Sequence, residues 1–372
     1  MVKHYHSRLL PLLACLLAVL LYGATTASAA VMSIDYGTEW FKVGLIKPGV
    51  PLDVALNRDS KRKTQSVITI RGEERFYGSD AVNLVSGTRY PQNTYYNLKN
   101  LLGRLYDDKH CQEYRHRFVN NMIKDSVRGT AVFQHNETAF FTVEELIGFQ
   151  FAHAKEQAEA TAQELVKDVV ITIPPYFNQF ERQAVLDAAE LAGLKVLSLM
   201  HDETAVALNY AMNRKFTTEP LNHIFFDMGA GSTVASLVSF SNVVVKEGKR
   251  NKTVPQIEVL AVGYDRTLGG YEFDLRLQNY LGKAFEAQKK GQLKQSVFES
   301  DKAMAKLLKE ASRVKQILSA NQDTTSSIEG LHEELDFKTK VTRAELENLS
   351  QDLLDRIRGP IDTVLSTANK KV

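Results

Sequence analysis

The chain has 372 residues, 44% of them hydrophobic, and a formal net charge of +2. That length allows a full-sized core and favours two domains over one. Lysines and arginines are interleaved with acids throughout, which excludes a nucleic-acid footprint and a polybasic membrane face.

The N-terminus reads as a targeting segment. Lys3 and Arg8 precede an apolar run from Leu9 to Leu21, and the small residues Ala27-Ser28-Ala29 follow, the pattern of a secretory signal cleaved near Ala29 or Ala30. The run is short for a spanning helix, so no membrane anchor is expected. Of the two cysteines, Cys15 falls inside the signal and Cys111 is left without a partner, so no internal disulfide is expected in the mature chain. Within the secretory pathway the sequons at Asn136, Asn251 and Asn348 become candidate glycan acceptors.

From Val31 to Phe76 strand-like runs alternate with turns, as in a meander. The first turn carries Ile34-Asp35-Tyr36-Gly37-Thr38, and the same phrase returns as Phe226-Asp227-Met228-Gly229-Ala230-Gly231-Ser232. Each copy is an apolar strand that ends on Asp, turns through Gly into a hydroxyl residue and continues into a second apolar run, Val43 to Ile46 or Val234 to Phe240. That is a β-hairpin rather than the strand-to-helix turn of a P-loop, and no GxxxxGK[ST] or GxGxxG stretch competes with it. Polyphosphate binding needs such a turn: Gly lets backbone N–H groups approach phosphate oxygens, and the Asp holds the water shell of Mg²⁺. One copy alone is an ordinary turn. Two copies, one from each half, form a candidate grip on a single nucleotide.

Helical patterns follow. Thr142 with Glu145, Asn178 with Glu181 and Thr342 with Glu345 have the spacing of capping boxes at the heads of apolar-periodic runs, and Gly193 ends the second of these. Between the first two lies Val169 to Pro175, a buried-strand run halted by proline. Past Ser232 strands run to about Val262 and a helix opens near Leu268-Gly269-Gly270. In a later helix Met304, Leu307, Leu308, Ala311, Val314 and Leu318 share one face, expected in the core. The order of elements repeats across a boundary near Glu219-Pro220. The expected division is a signal over 1–29, a first lobe over 30–220 and a second over 221–372.

Six stretches together resemble a known family: Asp35-x-Gly37-Thr38; Asn97-Leu98-Lys99 before Leu102-Gly103-Arg104; Pro174-Pro175-Tyr176-Phe177-Asn178; Arg182-Gln183-Ala184; Asp227-x-Gly229-x-Gly231-Ser232; and Leu268-Gly269-Gly270 before Phe273-Asp274. In this order they are similar to the ATPase domain of the seventy-kilodalton heat-shock chaperones, over about residues 31 to 370. The signal, Val31-Met32-Ser33 and Lys47 to Pro51 are similar to the large endoplasmic-reticulum branch.

The resemblance implies an α/β, actin-like (ribonuclease H-like) ATPase fold with two lobes around a cleft for ATP or ADP and Mg²⁺. It implies an ATP-binding chaperone domain of the endoplasmic reticulum lumen that assists folding and serves as nucleotide-exchange partner of the main lumenal heat-shock chaperone. The alternative is an active chaperone ATPase driving its own peptide-binding cycle. A sugar or glycerol kinase on the same superfamily fold would need a substrate pocket with a general base, and no such site stands out.

By position, the resemblance puts Gly37, Thr38, Glu39, Trp40, Gly229, Ala230 and Gly231 against the phosphates, and Asp35 and Asp227 near Mg²⁺ through water. Gly269 and Gly270 match a second-lobe contact to phosphate and ribose, and Lys315 and Ser319 the adenosine contact. Lys99, Asp202, Asp227 and Ser232 match the hydrolytic positions, although Lys99 by itself is only a helix lysine.

Departures from the family pattern weaken hydrolysis. Asp202 stands for Glu, Val234 for a catalytic-site Asp, Ser232 for Thr, and Ala230 for Gly, where it is expected to crowd the loop. Ser312 and Gln316 replace the Glu and Arg that line the base. At most a slow ATPase is implied. The family continues past Val372 with the rest of the adenosine clamp, closing strands and a peptide-binding domain for unfolded clients, so an incomplete second lobe is expected.

Overall fold

The computed structural model describes residues 30–86, 90–248 and 250–369, and the expected signal over 1–29 lies outside them. Strand alternation organises the first half. In Val31–Tyr36 and Trp40–Lys47, Met32, Ile34, Tyr36, Phe41, Val43 and Leu45 are buried on one face. The opposite face is left to Ser33, Asp35, Trp40 and Lys42. These two strands pair antiparallel, and Val31–Tyr36 also pairs parallel with Asp168–Ile173. The sheet order is Lys195–His201, Asp168–Ile173, Val31–Tyr36, Trp40–Lys47, Val50–Val54, with Thr64–Gln65 added beside Trp40–Lys47.

The helix Val143–Ala162 covers the apolar face with Leu146, Ile147, Phe151, Ala154 and Ala158. The rings of Tyr36 and Phe151 meet edge to face at 5.1 Å, and the Tyr36 hydroxyl donates to Gln150 Oε1 at 3.0 Å. One core cluster thus runs from Ala30 to Leu194. The run 31–76 is not a single meander. Asn57 Oδ1 accepts from the N–H groups of Asp59 and Lys61 and turns the chain away, so Ile68–Arg71 and Glu74–Tyr77 join Thr94–Tyr95 in a separate sheet.

The second half repeats the hairpin. Leu221–Met228 pairs antiparallel with Thr233–Glu247, which pairs with Arg250–Asp265, and the helix Gly359–Asn369 seats Val364 against Ala235, Leu237 and Ala261. Helices Gly270–Gln288 and Asp301–Leu318 and the hairpin Asp323–His332/Leu335–Thr342 enclose another cluster. Leu307, Ala311, Val314 and Leu318 are buried in it and Met304 packs on it. Leu308 lies outside that cluster and lines a cavity instead.

All three capping boxes form, and Gly193 takes a φ of +67° after Leu191. The Asn178 box does a second job. Glu181 is 1% exposed; its Oε2 accepts from the Asn178 N–H at 2.8 Å, while Oε1 accepts from Arg104 at 2.8 Å and from Arg266 at 2.5 Å. One carboxylate therefore caps a helix and ties the first half to the second.

Candidate functional site

The two repeated phrases fold alike. The Gly37 N–H donates to Trp40 O at 3.0 Å, and the Gly229 N–H to Ser232 O at 2.9 Å. Both turns face one cleft of about 1030 Å³. Asp35, Gly37, Thr38, Glu39, Trp40, Lys99, Asp202, Asp227, Gly229, Ala230, Gly231, Ser232 and Gly270 all line it. Gly231 passes so close to the first turn that a Cβ there would stand 2.7 Å from Thr38 Oγ1. Gly269 abuts the Ala230 carbonyl, with no room for a side chain between them. The Gly270 and Tyr271 N–H groups donate to Gly229 O and Ala230 O, both at 2.9 Å, so the turn before Gly270–Gln288 is docked on the second hairpin. Ala230 is not among the residues with positive φ, and alanine takes its place in the loop without backbone strain.

The adenosine-side residues are placed differently. Lys315 Nζ donates to Gly270 O at 2.8 Å and to Asp274 Oδ2 at 2.7 Å, which anchors it beneath that turn rather than in the large cleft. Burial pushes the Asp274 carboxyl up to about 6, with Lys315 opposing. Ser319 is exposed at the end of its helix and donates to Gln316 O at 2.6 Å. Ser312 and Gln316 line a neighbouring apolar cavity of about 300 Å³ with Leu308, Tyr96, Tyr271 and Glu39.

Carboxylates dominate the cleft. Asp202 and Glu203 open the helix Asp202–Ala211 directly after the strand Lys195–His201. Asp202 Oδ1 and Glu203 Oε2 are buried without a hydrogen-bond partner among the described residues. Lys99, 8% exposed, approaches Asp202 at 3.9 Å. Burial raises the Asp227 carboxyl above its usual range, reinforced by Asp202 and Asp35 and opposed by Lys99 and Lys42. Burial also pushes Glu203 up to about 7. The Tyr176 hydroxyl donates to Ser232 Oγ at 2.9 Å, and Thr172 Oγ1 donates to Asp35 Oδ1 at 3.1 Å.

Sequence reasoning missed Glu203, Thr172 and Lys42 as cleft residues, and Tyr176 as the partner of Ser232. Lys42 was detectable: it follows Asp35 at the interval by which Val234 follows Asp227. Elsewhere, Asn136, Asn251 and Asn348 are all exposed, the last on the helix Arg343–Leu349. Cys111 is buried and unpaired among the described residues, its thiol pushed up to about 11 by burial. No helix among the described residues is long and apolar enough to cross a membrane.

The family model described as Hsp70 protein matches residues 31–372. The chain is 45% identical over 355 residues to hypoxia up-regulated protein 1 of Danio rerio, an alignment covering 95% of this chain and 36% of that protein. With the Xenopus laevis protein of the same name the identity is 44% over 366 residues, covering 97% of this chain and 56% of the relative. With the Homo sapiens protein it is 44% over 360 residues, covering 96% and 35%. The chain thus spans between about a third and just over a half of the length of these relatives.

The Glu203 carboxyl gives a testable pH dependence. In the folded chain it keeps its proton to about pH 7, against an ordinary value of 4.5 when unfolded. The folded state then binds more protons between these values, so stability falls as pH rises through that window, by at most about 3 kcal/mol. Urea midpoints in EDTA should show this fall for the wild type and a flatter profile for Glu203→Gln. Identical profiles would mean that water reaches the carboxyl.

Proposed function

The chain belongs to the Hsp70 family, and on that premise we propose that it is an ATP-binding chaperone domain of the endoplasmic reticulum lumen. In this reading residues 1–29 are a signal peptide, 30–220 a first ATPase lobe and 221–372 a second. An Hsp70 ATPase domain binds nucleotide, and the observation that carries the reading is the pair of matching hairpins turned into one cleft.

The residues present fit a phosphate chain and a hydrated cation. Asp202 and Glu203 hold buried oxygens unpartnered among the described residues, the Asp227 carboxyl is raised by burial and then by neighbouring acids, and Gly231 approaches Thr38 too closely for any side chain. Asp35 and Asp227 would hold Mg²⁺ through its waters. The turns Thr38 to Trp40 and Gly229 to Gly231 would lie against the phosphates, with Gly269 and Gly270 behind them. Mg²⁺ supplies positive charge between phosphate oxygens when bound.

Lys99 is held beside Asp202, where its ammonium would offset charge at the terminal phosphate and orient a water. Ser232 presents a hydroxyl already fixed by Tyr176. Val234, 4% exposed and paired across the hairpin with Asp227, adds neither charge nor a hydrogen bond. The balance favours binding over turnover, which suits a nucleotide-exchange partner of the main lumenal heat-shock chaperone that acts through its ATP-bound shape. A protein of this kind would meet unfolded clients through a peptide-binding domain. The name of the relatives supports a role in the response to hypoxia. The second reading, an ATPase driving its own peptide-binding cycle, draws on the presence of Lys99, Asp202 and Asp227 in the cleft. Lys315 would steady the Gly270 turn, and Ser319 would meet adenosine only after a shift of its helix end.

Three measurements test this. Calorimetry should detect Mg²⁺-ATP binding to the wild-type chain and at least a tenfold (~1.4 kcal/mol) weakening in Asp227→Ala; absence of binding to the wild type overturns the nucleotide reading. Single-turnover hydrolysis should be slow and should rise about tenfold in Val234→Asp combined with Asp202→Glu. Brisk turnover that these changes leave untouched would favour the self-driven ATPase. Expression through the secretory pathway should yield a chain shortened by about 29 residues with endoglycosidase-sensitive mass on at least one of Asn136, Asn251 and Asn348. An intact, unmodified mass would refute the lumenal assignment.

A further inference from the structure

The two hairpins are alike in backbone and unlike at one equivalent side chain. Lys42 stands directly across its hairpin from Asp35, as Val234 stands across from Asp227. The lysine is charged where its counterpart is apolar, and its Nζ donates to Asp35 Oδ2 at 2.6 Å. An exposed cross-strand ion pair contributes little to stability, and on an outer face Lys42 would need no further explanation. It is not on such a face. Ser33, Asp35, Lys42 and Gly44 line the same cleft as Lys99, Asp227 and the second glycine turn.

That cleft holds five acids, Asp35, Glu39, Asp202, Glu203 and Asp227, against two lysines. A polyphosphate entering it brings more negative charge into an already acidic space. Lys99 is largely buried beside Asp202, whereas the Lys42 and Asp35 side chains are each nearly half exposed, at 47% and 48%. Lys42 uses one of its three ammonium donors on Asp35, on a flexible four-carbon stem. It is the more exposed cation of the cleft.

We propose that Lys42 is a phosphate ligand of this cleft: its ammonium, paired here with Asp35, passes to a phosphate oxygen of the bound nucleotide as Asp35 turns to the hydrated cation. The exchange leaves each charge partnered, since the carboxylate gains a cation when it gives up the lysine. Lys42 and Mg²⁺ then share the neutralisation of one phosphate chain, and Lys42 alone supports weak binding when Mg²⁺ is removed. The inference rests on the nucleotide reading above and adds a ligand to that site.

The test compares ATP affinity of the wild type, Lys42→Met and Lys42→Arg, in Mg²⁺ and in EDTA, by calorimetry. The single tryptophan of the chain, Trp40, lines the cleft and gives an optical readout in parallel. Methionine keeps the length of the stem without its charge, and thermal melting checks that each variant is folded. In EDTA, Lys42→Met should bind ATP at least about tenfold more weakly than the wild type, and Lys42→Arg should recover most of that loss. In Mg²⁺ the deficit of Lys42→Met should shrink to about threefold, because the cation then carries part of the charge. Equal affinities of wild type and Lys42→Met under both conditions would overturn the proposal, leaving Lys42 as a counter-ion of Asp35. Tighter Mg²⁺-ATP binding by Lys42→Met would also overturn it, since the lysine would then compete with the metal for Asp35. A wild type that binds no ATP in Mg²⁺ would sink the nucleotide reading and this proposal with it, whereas the other two outcomes sink the proposal alone.

Discussion

The two-residue period of a β-strand is the constraint on which the site depends. Because side chains alternate across a sheet, Ile34 and Tyr36 fall into the core and Asp35 between them faces the cleft. A one-residue slip would bury the carboxylate and expose the tyrosine. Antiparallel pairing then fixes which residue stands beside each Asp, and the tight glycine turn holds that register in both hairpins. The hydrophobic effect on one face of the sheet thereby positions charge on the other.

Bringing two such hairpins together concentrates like charge, and the fold offsets that cost at a distance from the cleft. Glu181 takes a guanidinium from each half while capping its own helix, so the cross-half tie is made on a carboxylate both of whose oxygens accept hydrogen bonds. The turn before Gly270–Gln288 docks by backbone hydrogen bonds on Gly229 and Ala230, and Lys315 with Asp274 anchors that turn from below. Arg117 and Glu272 add a further link at 2.7 Å. The acids inside the cleft are left less satisfied: burial and mutual repulsion raise Asp227, and Glu203 and Asp202 keep unpartnered oxygens. A site in that condition gains from any cation that enters it.

Much of this was legible along the chain because its physical causes are local. A capping box is a contact between residues three apart, so Thr142, Asn178 and Thr342 marked helix starts that the structure contains. The repeated Asp-x-Gly turn depends on four or five consecutive residues and shows as a pattern in the sequence. A stripe of apolar residues identified the helix face around Leu307, Ala311 and Val314, since burial of that face is what makes such a helix stable.

The sequence by itself determined the hairpins, the caps, the strand faces and the family to which they belong, because each follows from neighbouring residues or from motifs in a fixed order. Only the tertiary structure decided what the charged groups meet. Nothing local says that Glu181 receives arginines from Arg104 and Arg266, that Leu308 leaves its stripe to line a cavity, or that Lys315 spends its charge on Asp274. Nor does local sequence make Glu203 a carboxyl pushed up to about 7. Burial and Coulomb energy depend on distances through space, and those distances exist only once segments far apart in the chain have packed.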